Sequence, residues 1–302
     1  MSSALNLPIL TPVVEQWSTI PLIFVFLSFF LIGIGIFIGR KYLKTDKSYS
    51  IVIGIISILL VSMEIYHEVE RYLQFGTYDW SSFPFQFCSV TMYICVLMPF
   101  VKDCKFKKVL IMFLALYNFL SGSLPLYLAQ GNLTRWPTIS GVIFSFAWHC
   151  ILLLIGSLSI GYLNVGHGFK LERKVILQTF AFFFFITCIA QVLNTIIHYG
   201  AGASNFPVPP EGEFKHAGWR ENYELDPDSA SLFYISPFFQ SNITIVYADV
   251  WAKAGWVANW ALYVVSFGLA SMLVYGAIYG IRRLYSLTVK AIKKPKEEVA
   301  NE

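Results

Sequence analysis

The chain alternates long apolar stretches with short polar connections, many of them basic. Read in windows of about 19 residues, seven stretches are long and apolar enough to cross a hydrocarbon layer of about 30 Å. They are 20–39, 51–72, 83–101, 109–128, 138–163, 175–199 and 256–281. Within lipid each backbone polar group needs a partner from its own segment, so these stretches are predicted to be α-helices. The expected fold class is all-α, a polytopic membrane protein with seven transmembrane helices. One domain covers 1–285, with a cytoplasmic tail over 286–302. The first stretch is too long for a signal-peptide core, has no basic region before it, and runs into RKYLK (40–44). That basic flank stops transfer, so the segment reads as an uncleaved first helix.

Composition sharpens this picture. Of 302 residues, 56% are hydrophobic and 13% charged, where a soluble domain carries about 25% charged residues. With a mean hydropathy of +0.61, a disordered tail, a disulfide-rich secreted module and an ordinary cytosolic enzyme are all excluded. The net charge of +4 points away from nucleic acid once it is sorted by loop. Segments 40–50, 102–108 and 164–174 and the tail from Arg282 hold 17 of the 22 Lys and Arg. The opposite set holds only Arg71, Arg135, Lys215, Arg220 and Lys253, with 12 of the 18 acids. The positive-inside rule then gives an N-out, C-in protein of the plasma membrane. Its basic inner rim would sit well against anionic headgroups.

One connection is long. Residues 200–255 begin Gly-, Pro- and acid-rich and turn aromatic at LFYISPFF (232–239) and ITIVYADVWAKAGW (243–256). That second half argues against disorder and for an interfacial cap or partly re-entrant piece. Cys88, Cys95, Cys150 and Cys188 fall in spans and Cys104 in an inner loop. No disulfide framework and no CxxC metal spacing follows.

Polar side chains inside spans carry the functional information, because lipid makes them costly. Glu64, His67 and Arg71, spaced i, i+3, i+7, share one face near the outer end of the second helix, with Glu68 beside them. They read either as an interfacial ion-pair cluster or as the polar wall of an outward-opening site. Pro84 suits a first helical turn, which puts Gln86 and Cys88 within two turns of the outer end of the third helix. Cys88 reads as a small packing residue or as a nucleophile. His149, midway along the fifth span, is either a buried neutral imidazole held by a carbonyl or Asn, or a base that generates a thiolate. Gln191, Asn194 and His198 share a face of the sixth helix, and Asn118 lies deep in the fourth. Interhelical hydrogen bonds of about 1 kcal/mol explain each separately. One internal polar pocket explains them together.

The run WSSFPFQFCSVTMYICVLMPF (80–100), the cytoplasmic turn after it, the mid-membrane His149 and the LFYISPFF…YADVW…WVANW region resemble the bacterial YwaF family. That family is related to the eukaryotic transmembrane protein 164 group, whose members act as cysteine-dependent acyltransferases on ether phospholipids. The resemblance implies that Cys88 and His149 are the reacting pair. Where some members carry His-Leu before the Cys, this chain has Gln86-Phe87: either a catalytic group is lost, or Gln86 is an oxyanion donor.

The leading expectation is lipid acyl transfer or hydrolysis, with Cys88 as nucleophile and His149 as base and then acid. Gln86 or Asn194 would stabilise the oxyanion, with Glu64, His67, Asn118, Gln191 and His198 lining the pocket. Membrane lipids would be the partners, and no metal or organic cofactor is required. The alternative is a transporter of small solutes, ions or protons through the same pocket, although no transporter-type repeat is visible. A receptor reading fails on detail: 256–281 contains no Lys, no DRY follows the third helix and no NPxxY lies in the seventh.

Overall fold

The computed structural model describes residues 14–75, 84–134 apart from Gln86, Asp103 and Ala129, 138–163, 173–201, 261–280 apart from Leu262, and Arg283. All regular elements among them are helices. Helix α1 spans Thr19–Lys41, α2 Asp46–Phe75 and α3 Val90–Leu97, which continues as a 3₁₀ turn over Met98–Phe100. Then come α4 over Lys105–Tyr127, the short α5 over Gly131–Thr134, α6 over Ile139–Leu163 and α7 over Arg173–Ala201. The last, α8, spans Tyr263–Gly280. Five of these, α1, α2, α4, α6 and α8, are long and apolar enough to cross a membrane, which marks the chain as a multi-pass membrane protein. The proposed cap 200–255 lies outside the described residues apart from its first two positions, which finish α7.

The third predicted span is corrected. Pro84 sits in a bend rather than a first helical turn, and α3 begins only at Val90. The reason lies in the aromatics ahead of it. Phe85 and Phe87 both pack against the core, yet on a helix two residues apart point about 200° away from each other. Irregular backbone lets Phe87 insert among Tyr117, Phe183 and Phe267 at centroid distances of 5.9, 5.7 and 4.5 Å. Cys88 therefore lies in the turn that enters α3, not on the helix.

Helices α4 and α6 form the centre. Of their most apolar 18-residue stretches 78% and 56% is buried, against 22% in α1 and 28% in α8. Helix α1 lies along α6 through Gly35 and Gly39 on one side and Ser157 and Gly161 on the other. A Cβ added at Gly35 would stand 2.7 Å from the Ser157 Cβ, and one at Gly161 2.5 Å from the Ile36 carbonyl oxygen. On the other flank, Gly156 receives the backbone of Phe119, and Gly122 lies against the His149 carbonyl. Such small-residue contacts are how helices associate where lipid gives them no hydrophobic drive.

Polar groups tie both ends of the bundle. At the predicted inner end Tyr162 donates to Asp46, Tyr49 and Ser159 share a hydrogen bond of 2.6 Å, and the two tyrosine rings stack at 4.6 Å. At the predicted outer end Ser140 and Thr138, at the start of α6, donate to Glu70. The Trp17 amide donates to Gln130 at 2.8 Å. Residues predicted to share an end thus meet at one.

Overpacking at the α1–α6 seam is the sharpest test of this arrangement. Gly39→Leu drives a side chain into the Leu158 carbonyl and is expected to cost about 1–3 kcal/mol, read as a lowered unfolding temperature in detergent. Gly276→Ala, where an added Cβ meets nothing within 4 Å, should not lower that temperature.

Candidate functional site

Near the predicted outer end, side chains of α2, α4, α6 and the turn before α3 converge. Glu64, His67 and Glu68 fall at i, i+3 and i+4 on one face of α2. Glu64 and His67 are only 7% and 6% exposed, so this face is turned inward and is not a solvated helix end. The His67 ring lies flat on Phe144 of α6, with centroids 4.1 Å apart and planes 8° from parallel. Phe144 leans in turn on Trp148 at 5.5 Å.

The other edge of the α2 face meets α3. Glu64 is within electrostatic range of Cys88, and both Glu64 and Glu68 are within range of Tyr93. Cys88 is half-buried, with its Sγ 3.9 Å from the Ser89 hydroxyl, and Tyr263 of α8 is also in range. The Cys88 thiol is thus within electrostatic range of both α2 and α8. All five cysteines are free thiols.

One turn beyond Cys88, the Thr91 hydroxyl donates to Asn118 Oδ1 of α4 at 2.5 Å. Asn118 is 1% exposed, and its Nδ2 is buried with no hydrogen-bond partner among the described residues. The indole Nε1 of Trp148 is in the same state. An orphaned buried donor costs about 1–3 kcal/mol, so each is a place where a ligand oxygen would lower the energy.

His149 meets the carbonyl alternative raised from the sequence. Its Nδ1 lies 2.7 Å from the Ser145 carbonyl oxygen. A carbonyl only accepts, so Nδ1 carries the hydrogen and Nε2 is left as the basic nitrogen. The hydrogen bond is to Ser145 rather than to Cys88. The structure therefore puts Glu64 and His67 on one buried face of α2 with Cys88 in electrostatic range of Glu64, links Asn118 to α3 through Thr91, and sets the His149 backbone against Gly122 of α4. Gln86 and the side chains of Arg71, Gln191, Asn194 and His198 lie outside the described residues. Among the described residues no three His, Cys, Asp or Glu side chains are grouped to hold a metal.

Five contributors were not singled out from the sequence. Thr91 carried a signal, one helical turn after Cys88 in the same stretch. Phe144 and Trp148 carried a weaker one, aromatics at i, i+4 ending next to His149. Tyr93 and Tyr263 are recognisable only from the packing.

No protein-family model, curated protein or solved structure matches the chain. The site is defined by its own geometry, an inward-turned row of ionisable side chains beside a half-buried thiol in a multi-pass helical membrane protein.

The Thr91–Asn118 pair gives a test with two arms. Thr91→Val strips Asn118 of its donor and is expected to destabilise by about 1–3 kcal/mol in detergent unfolding. Combining it with Asn118→Leu removes both polar partners and should restore most of that loss.

Proposed function

We propose that the chain is a seven-span, N-out protein of the plasma membrane whose outer-half cluster transfers or hydrolyses lipid acyl groups. The observation that carries this reading is the His149 hydrogen bond to Ser145, which leaves Nε2 as a base midway along α6, while a half-buried thiol, Cys88, lies in the turn that enters α3. The resemblance of 80–100 to the YwaF family and to the transmembrane protein 164 group points the same way.

In this reading a phospholipid ester enters laterally between helices. His149 Nε2 takes the Cys88 proton as Sγ attacks the ester carbonyl. The C–S bond forms, the ester C–O bond breaks, and the proton passes to the departing alkoxide. Water or a second lipid hydroxyl then attacks the thioester, losing its proton to His149 as the thiol is regenerated. Buried N–H donors such as Asn118 Nδ2 are the kind of group that stabilises the oxyanion, alongside Gln86 or Asn194. The cycle needs no metal or organic cofactor. For the pair to react, Cys88 and His149 come within hydrogen-bond reach when substrate binds, a tightening common on going from the free enzyme to the complex.

Detergent-purified protein incubated with an acyl-labelled phospholipid should acquire a hydroxylamine-sensitive label at Cys88. Cys88→Ala should abolish it, and His149→Gln should slow it by about 10²-fold or more. Acyl transfer that persists in Cys88→Ala would contradict the proposal.

A specific observation also favours a second reading. Glu64 and His67 are buried titratable groups on one face of α2, with Glu68 beside them, and such rows serve as proton paths in transporters. Proton-coupled flux in liposomes that is lost in Glu64→Gln and intact in Cys88→Ala would select transport over acyl transfer.

A further inference from the structure

At the opposite end of the bundle, α1 presents a feature that the outer-half site does not use. A cleft of about 460 Å³ is lined by Phe37, Arg40, Lys41 and Lys44. Its three cations are exposed. The Lys41 Nζ is held over two rings, 5.1 Å from the centroid of Phe37 and 5.3 Å from that of Tyr42. Cation–π contacts of this kind fix a flexible ammonium in place while leaving its donors turned outward.

Beyond the cleft, the same face of α1 continues as an apolar surface. Phe30, Gly33 and Phe37 fall at i, i+3 and i+7, the same face from which Arg40 and Lys41 project. Phe30 and Phe37 are exposed, and a Cβ built at Gly33 meets nothing within 4 Å. The face is therefore a notch between two phenyl rings that leads into a cluster of positive charge. Seen from the notch outward it is apolar and then cationic, which is the reverse image of a diacyl lipid with a negatively charged head.

We propose that this face of α1 is a binding site for an anionic phospholipid. The phosphate is held by Arg40, Lys41 and Lys44, and an acyl chain lies over Gly33 between Phe30 and Phe37. The site is separate from the acyl-transfer reading, and neither depends on the other. The charge distribution agrees: the cluster belongs to segment 40–50, among those that hold most of the Lys and Arg. Basic residues at the ends of spans are attracted to anionic leaflets.

The full chain purified in non-ionic detergent can be titrated with phosphatidylglycerol, phosphatidylcholine and inorganic phosphate and read by native mass spectrometry. Phosphatidylglycerol should remain bound where phosphatidylcholine does not. The triple variant Arg40→Gln, Lys41→Gln, Lys44→Gln should hold it about a hundredfold more weakly, from roughly fivefold per cation removed. Gly33→Leu should weaken retention several-fold with no lowering of the unfolding temperature, because the notch is filled without a clash. Equal retention of the two lipids, or an unaffected triple variant, overturns the proposal. Displacement of phosphatidylglycerol by inorganic phosphate, with no effect of Gly33→Leu, assigns the cations to a free anion and overturns the lipid site as well.

Discussion

Everything in this bundle depends on how closely α6 approaches its neighbours. Inside a membrane, apolar surface gains nothing by leaving lipid for another helix, so association rests on packing and hydrogen bonds. Gly35 and Gly39 of α1 and Gly161 of α6 bring two backbones into direct contact, and Gly122 and Gly156 do the same between α4 and α6. The contact at Gly122 has a functional consequence. Its neighbour is the carbonyl of His149, so the depth of the candidate base is set by backbone packing rather than by the flexibility of its side chain.

The second constraint is register. Tyr162 on Asp46 at one end and Ser140 on Glu70 at the other pin α2 against α6 at both extremities. Two pins on helices of this length leave no freedom to slide by a turn. His67 is thereby laid on Phe144, Phe144 on Trp148, and Glu64 brought within electrostatic range of Cys88. The ionisable face of α2 is thus a product of where the polar ends meet. The hydroxyl and carboxylate pairs that look like ordinary structural bonds determine which side chains share the interior.

Much of this was legible in the sequence, and the exceptions have physical causes. The stretches 20–39, 109–128 and 138–163 match α1, α4 and α6 within a few residues, because their apolar runs are bounded by charged, polar or proline residues. The stretch 83–101 was misread because hydropathy records how apolar a segment is and not how its backbone runs: Phe85 and Phe87 are as greasy in a turn as in a helix. Glu64, His67, Asn118 and His149 stood out because lipid makes polar groups expensive. Their partners did not, since Thr91, Ser145 and Phe144 are unremarkable until packing brings them alongside. The glycines of α1 were visible, but the faces they present depend on which helix comes to meet them.

The central proposal is that Cys88 and His149 act as one reacting pair. The most direct measurement is thiol cross-linking in a chain whose other four cysteines are replaced by serine or alanine. With His149→Cys in that background, a short bifunctional thiol reagent is expected to join positions 88 and 149. A cysteine at Ile143, on the exposed face of α6, is expected to stay unlinked. Failure to join 88 and 149 while both thiols react singly with the same reagent would contradict the account.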